Sequence, residues 1–229
     1  EAFDLSQKFH IPSFGICHFT WDWFFENVCK VNSKYLKKME NSFLKCDHFF
    51  FPPLTSKKIL KKYKNKIAHI NFIVGDFAEN YRKNNFKKCL IMDNGTRSLS
   101  GLINKTVPYL KKISNIEFYV CIDHLSQKFK DQIYMSNNIV PVSGLKNMHE
   151  KLSEADIIIA RGGFNTISEC LVLKKPALFF NEKNNPEVSE NLRLLTKKYK
   201  LACLINKGDW GKNFQKKLNS FIKKDSKRI

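Results

Sequence analysis

The stretch Arg161-Gly162-Gly163-Phe164-Asn165-Thr166-Ile167-Ser168-Glu169 concentrates the residue types that binding an anion would need. It follows the apolar run Ile157-Ile158-Ile159-Ala160 and opens a helical pattern. Two glycines at a strand-to-helix turn let backbone approach a ligand closely. The unpaired N–H groups of the helix start then suit a phosphate. Thr166 and Glu169 also have the Thr-x-x-Glu spacing of a capping box, in which they would serve the helix alone. Capping accounts for that pair but not for the glycines, so a phosphate or nucleotide role for the loop stands beside it.

Three other places carry candidate groups. Asn184-Asn185-Pro186-Glu187-Val188-Ser189-Glu190-Asn191 opens a helix, with Pro186 at the first helical position and acids in the first turn. Glu190 and Asn191 are candidate ligand contacts there. In Asp93-Asn94-Gly95-Thr96-Arg97, the residues Gly95, Thr96 and Arg97 could contact phosphate, or the segment is a plain polar turn. His18 and Asp22 lie among Phe19, Trp21, Trp23, Phe24 and Phe25, and either could act as a general base. Those aromatics read either as core or as an apolar acceptor or membrane contact.

Absences narrow the chemistry. The sequence has no P-loop, no Gly-x-Ser-x-Gly elbow and no Gly-x-Gly-x-x-Gly fingerprint. It has no Asp-x-Asp pair and no ligand-spaced Cys or His, so no metal and no cofactor is expected. Any departing diphosphate would rely on helix N-termini and basic side chains.

The elements that must position these groups alternate. Apolar runs of strand length at 88–92, 116–122, 138–142, 156–160, 176–180 and 201–205 are separated by helical patterns. Continuous apolar strands alternating with helices indicate an α/β fold with a doubly wound parallel sheet. Ligands of such sheets bind beyond the carboxyl ends of the strands, where the candidate loops fall. Upstream, the spacing predicts one helix from about Phe24 to Lys45, a charged connection at 57–66 and a strand at 70–74.

Composition bounds the rest. With 229 residues and 43% hydrophobic content, the chain can bury a real core. Seven cysteines without Cys-x-x-Cys read as reduced, buried thiols, which suggests a cytoplasmic protein. No run approaches the about 18 apolar residues of a spanning helix. The formal charge is +19, from 40 Lys and Arg against 21 Asp and Glu. The lysines are scattered over several clusters and arginine is rare. That pattern fits a solvated surface or attraction to an anionic membrane face on the cytoplasmic side, and no nucleic-acid partner is expected.

The stretch from Asp156 to Ile205 resembles the donor half of the GT-B glycosyltransferases. It is most similar to the MurG-like, lipid II-forming N-acetylglucosaminyltransferases. The matching pieces are Ala155-Asp156, Arg161-Gly162-Gly163 with Thr166 and Glu169, and Pro176-Ala177-Leu178-Phe179. The resemblance implies that the glycine loop binds the diphosphate of a nucleotide-sugar, with UDP the expected nucleotide, and that Glu169 holds ribose hydroxyls. Where family members carry Gln and an Asn-Ala pair, this chain has Ser189-Glu190-Asn191-Leu192-Arg193, which leaves the sugar open. His18-Phe19-Thr20-Trp21-Asp22-Trp23 is similar to the Asn-Phe-Thr-Trp-Asp signature of glycosyltransferase-like proteins, including the amino-terminal region of arabinokinases.

The resemblance implies three segments. Residues 1–75 would be the end of an acceptor-side domain, 76–210 a complete donor domain, and 211–229 a C-terminal helix and basic tail. It also implies a fragment, or a partner chain that supplies the rest of the acceptor half. The expected activity is transfer of a sugar from a nucleotide-sugar to an acceptor hydroxyl, the acceptor being lipid-linked or a glycan. Diphosphate charge would be held near Gly163 and by Arg97 or Arg161. A nucleotide-sugar hydrolase or epimerase, or a non-catalytic half-enzyme or membrane-surface module, are the alternatives.

Overall fold

The computed structural model describes residues 2–28, 31–75, 86–93, 97–199 and 203–225. In chain order the regular elements are α1 (Ala2–Lys8), β1 (Phe14–Ile16), α2 (Trp21–Val28), α3 (Ser33–Leu44), β2 (His48–Phe51), α4 (Lys57–Lys62) and β3 (Ile67–His69). There follow β4 (Lys88–Met92), α5 (Ser100–Leu110), β5 (Glu117–Cys121), α6 (Gln127–Tyr134), β6 (Ile139–Val142), α7 (Leu145–Glu154), β7 (Ile157–Arg161) and α8 (Phe164–Val172). Last come β8 (Ala177–Phe180), α9 (Pro186–Leu194), β9 (Cys203–Ile205) and α10 (Phe214–Asp225).

The chain forms two compact units. One comprises Glu1–Ile73 with Lys183–Lys198, the other Val74–Glu182 with Tyr199–Ile229. The segment carrying α9 therefore groups with the first unit, although it falls inside the 76–210 span of the sequence reading. The C-terminal helix α10 groups with the second.

The second unit is a six-stranded sheet in the order β6-β5-β4-β7-β8-β9, with every pairing parallel. Numbered within the unit, that is 3-2-1-4-5-6, the doubly wound order. The central strands read as continuous apolar runs because both their faces are covered: Ile157, Ile158, Ile159 and Ala160 are all fully buried. Asp156 sets the register of β7 on β4, its Oδ2 accepting from the N–H groups of Lys87 and Lys88 at 2.9 Å each. Helices close the faces with one apolar stripe apiece. On α5 the stripe is Ile103, Val107 and Leu110, and on α10 it is Phe214, Leu218 and Phe221.

The first unit is a parallel three-stranded sheet, β1-β2-β3. Its register aligns Gly15 with Phe49 and Phe49 with Ile67, so these share a face. That face buries Phe49 and Phe51 with Trp23, Cys46, Ile59 and Tyr63. On the other face Phe14 and Ile16 of the edge strand are 59% and 63% exposed.

Three upstream expectations are corrected here. The single helix over 24–45 is two helices, because Asn32 starts α3 as an N-cap whose side chain accepts from Lys34 N–H at 2.9 Å. The charged connection contains α4, which Ser56 caps and Ile59 anchors in the core. The strand at 70–74 lies earlier, at Ile67–His69, where pairing with β2 holds Ile67 against the buried cluster. No helix among the described residues is long and apolar enough to cross a membrane.

Gly15 is a site of forced close approach. A Cβ there would sit 2.7 Å from two ring carbons of Phe49, a fully buried side chain that has little room to yield. Gly15→Ala should therefore destabilise the fold by about 1–3 kcal/mol. Urea unfolding of both proteins checks it, and an unchanged midpoint would show that the ring moves freely.

Candidate nucleotide-binding site

In the second unit the strand order reverses between β4 and β7. α/β sheets bind ligands outside the carboxyl ends of the strands at this point. The loops that leave those two ends are Asp93 onward and Gly162-Gly163.

The β7 loop is short and open. Gly162 N–H donates to Phe180 O at 3.2 Å, and Gly163 N–H to Arg161 O at 2.9 Å. Gly163 is the N-cap of α8 and provides no side-chain cap. Its φ of −71° and ψ of 151° suit any residue, and a Cβ built on it meets nothing within 4 Å. Neither backbone nor packing demands glycine at 163, and its lack of a side chain leaves clear space in front of a helix N-terminus. Such an end carries donor N–H groups and the positive end of the helix dipole.

The capping-box expectation fails. Ile167 N–H closes the first turn on Gly163 O at 3.1 Å, so α8 starts before Thr166. Burial of Phe164 (7% exposed) and Thr166 (2%) pulls that turn onto the core. Thr166 is then the third helical residue and Glu169 the sixth, beyond reach of the N-cap. Glu169 is released from capping duty. Its side chain is 13% exposed and lies 3.7 Å from His149 Nε2. Burial raises its pKa above the ordinary carboxylate value, and the nearby imidazole opposes that shift. Asn165 is exposed at the helix start.

The two arginines differ in their surroundings. Arg161 is the last residue of β7 and is buried, with Nε 2.8 Å from Glu182 Oε2 in an ion contact not aligned as a hydrogen bond. Its charge is therefore engaged by a carboxylate of its own unit. Arg97 is exposed, with a left-handed φ of 60°, and its carbonyl accepts from Ser100 Oγ at 2.8 Å. Asp93 is buried, and its Oδ2 accepts from Leu99 and Ser100 N–H at 2.9 and 3.0 Å, fixing the start of α5. Gly95 and Thr96 lie outside the described residues.

The other candidates belong to the first unit. His18 Nε2 is 3.2 Å from Glu187 Oε1, and both side chains are less than a fifth exposed. Phe19, Trp23, Leu54, Glu190 and Asn191 line the small pocket beside them, which has room for about one water molecule. Glu190 is held by Arg193 through two contacts of 2.6 and 2.8 Å, which keep its pKa below the usual value. Asn191 is 2% exposed.

Asp22 is not placed as a free base. It is 3% exposed, and its Oδ2 accepts from Lys62 Nζ at 2.6 Å and from Tyr63 Oη at 3.2 Å. Burial, the largest single cause, would raise its pKa, but the Lys62 ammonium together with Thr20 and the Trp23 N–H outweighs that and the net shift is downward. A buried carboxylate that already holds two donors serves structure rather than proton abstraction.

Glu187, Glu182 and His149 were missed as partners by the sequence reading. Glu187 shows there as a helix-dipole acid, and nothing local links it to a histidine 169 positions away.

Residues 94–228 match the model of the glycosyltransferase family 28 C-terminal domain. The chain belongs to that family. Solved structures share its fold at low identity. The glycotransferase of kitacinnamycin aligns with a TM-score of 0.64 and 12% identity, over 96% of this chain and 64% of that one. LpCGTa, solved in complex with UDP, gives 0.65 and 9%, over 96% and 63%. MurG of Acinetobacter baumannii gives 0.57 and 13%, over 99% and 64%. The family-28 chain thus spans a little under two thirds of the length of these structures. No curated protein sequence matches it significantly. Its parallel α/β sheet is that of a GT-B C-terminal domain.

If Asp22 is structural, Asp22→Asn should lower stability at neutral pH by roughly 2–3 kcal/mol, the scale of a lost hydrogen bond to a charged group. The carboxylate's folded pKa is depressed. Its contribution is therefore complete above the unfolded value of about 3.9 and is lost as pH falls through the folded value. The deficit of the variant should shrink in acid, as unfolding measured at pH 7 and pH 3 would show. A constant deficit would contradict this account.

Proposed function

We propose that this family-28 chain carries the donor site of a glycosyltransferase that uses a nucleotide-sugar, most simply a UDP-sugar. The observation that carries the reading is the open N-terminus of α8. Gly163 has clear space before it and no capping side chain, at the switch point of a doubly wound sheet. A diphosphate set there would accept hydrogen bonds from backbone N–H groups. Glu169, half-buried and free of capping, would accept from the ribose hydroxyls one to two turns along the same helix.

Transfer requires attack of an acceptor hydroxyl on the anomeric carbon while the nucleotide diphosphate leaves. Fixed N–H dipoles stabilise the charge that develops on the departing oxygen. Without an Asp-x-Asp pair in the sequence, these dipoles and nearby cations take that role in this reading. His18, oriented by Glu187, is the base we assign to the acceptor hydroxyl. The remainder of the acceptor side comes from outside these residues, in a longer chain or a partner chain. The charge of +19 and the exposed Trp21 suit an acceptor at an anionic membrane surface, such as a lipid-linked one.

Calorimetric titration with UDP, against ADP, GDP and CMP, tests the donor site. The folded chain should bind UDP selectively. Glu169→Ala should weaken binding about 10- to 100-fold, as loss of hydrogen bonds to a charged group implies. Gly163→Trp should abolish binding by filling the space before α8, with the circular dichroism unchanged. A folded wild-type chain that binds no UDP would overturn the reading.

A further inference from the structure

The outer surface of α5 and α10 carries charge of one sign. Between Arg97 and Glu117, and again between Asp209 and Asp225, the sequence has no acid. Both helices turn their apolar stripes into the same core cluster, so they lie in one layer with their other sides to solvent. Lys105 and Lys112 on the α5 side, and Lys212 and Lys216 on the α10 side, are exposed there. Tyr109, 37% exposed, stands between the α5 lysines, with Lys112 Nζ 5.8 Å from its ring centroid.

The two helices are locked together. Gly211, just before α10, has a left-handed φ of 68° and donates its N–H to Thr106 Oγ1 at 2.9 Å. A Cβ there would lie 3.6 Å from Lys105 O and 4.0 Å from Tyr109 Cε2. The backbone leading into α10 thus presses on α5 at the level of Lys105 and Tyr109, which fixes one set of lysines beside the other.

Compensation separates these lysines from others in the chain. Among the described residues, Lys105, Lys112, Lys212 and Lys216 form no ion pair, whereas Lys217 is tied to Asp209 at 3.4 Å. The groove along α10 is lined by Lys212, Gln215, Lys216, Asn219, Ser220 and Lys223, with no carboxylate. On the adjacent α6 the one acid is Asp131, whose Oδ1 accepts from Gln127. The lysines of α4 are surrounded differently. Lys62 is held by Asp22 and Glu40 at 2.6 and 3.1 Å, and Lys58 lies near Glu190.

We infer that this face docks the second unit on an anionic lipid surface. Each lysine brought near such a surface strengthens binding about fivefold. A bilayer is an extended plane of headgroups, which two helices side by side can meet with all four cations at once. An exposed tyrosine among lysines suits the headgroup region. Arginine, the preferred reader of nucleic acid, is absent from both helices. Docking of this kind would hold the chain where lipid-linked acceptors reside. The inference goes beyond the donor-site reading and does not rest on it.

Vesicle co-sedimentation tests it, with pure phosphatidylcholine against equal parts of phosphatidylcholine and phosphatidylserine. The wild-type chain should bind the mixed vesicles alone, and less so as salt is raised. Lys105→Gln, Lys112→Gln, Lys212→Gln and Lys216→Gln combined should weaken that binding at least about 50-fold. A control, with Lys37→Gln, Lys57→Gln, Lys61→Gln and Lys64→Gln combined, removes equal charge from exposed positions of the first unit. It should cost less than about 5-fold. Circular dichroism should be unchanged in both variants. A wild-type chain that ignores the mixed vesicles would overturn the inference, as would equal losses in the two variants. Loss of single-stranded RNA binding without loss of vesicle binding in the face variant would overturn it in favour of a nucleic-acid surface. UDP titration of the same proteins reads the donor site alone, so failure of either proposal is seen without the other.

Discussion

The candidate nucleotide site depends on the parallel pairing of β7 with β4. That contact, with Leu90 against Ile158 and Ile91 against Ile159, places two strand ends side by side while the chain leaves them in opposite directions. Right-handed crossovers then carry the following helices to opposite faces of the sheet. Sheets of this order form a ligand crevice where the chain leaves adjacent strand ends in opposite directions. The four buried residues Ile157 to Ala160 hold the pairing, and Asp156 locks its register from below. The open Gly163 and the sheltered Glu169 are downstream consequences of that one strand position.

The charged groups divide by whether burial is compensated. Asp22 is held through Oδ2 by Lys62 and Tyr63 and lowered in pKa, as expected of a buried carboxylate with a cation and a hydroxyl donating to it. Glu190 is likewise tied, to Arg193. Glu169 is sheltered by comparable packing but has a weaker, longer contact, and its pKa moves upward. An under-compensated carboxylate is a better candidate for a ligand contact than one held by a cation. His18 with Glu187 lies between these cases: hydrogen-bonded, half-buried and beside a small pocket.

Much of the second unit was legible because its strands are covered on both faces. A continuous apolar run bounded by polar turns has few other readings, and β4 to β9 all lie where such runs fall. The glycine loop was legible for a related reason, since paired glycines between a strand and a helix break both patterns at once. The first unit was harder. Asn32 and Ser56 act as N-caps, but a lone polar residue inside a helical or charged stretch is a weak local signal. β3 was displaced because two neighbouring runs were apolar and the choice belonged to β2. The Thr166 to Glu169 spacing misled because Gly163 could begin α8 earlier, with burial of Phe164 and Thr166 favouring that start.

Taken alone, the sequence determined the parallel α/β class, the order of the elements in the second unit and the glycine loop that joins β7 to α8. Periodicity and glycine placement are local properties, and local properties suffice for these. Only the tertiary structure decided which charges are free. It gave Arg161 to Glu182, Asp22 to Lys62 and His18 to Glu187, and it left His149 facing Glu169. These partners lie 20 to 169 positions apart, and electrostatic pairing acts through space. No pattern along the chain records which side chains the packed sheets and helices bring within a few ångströms.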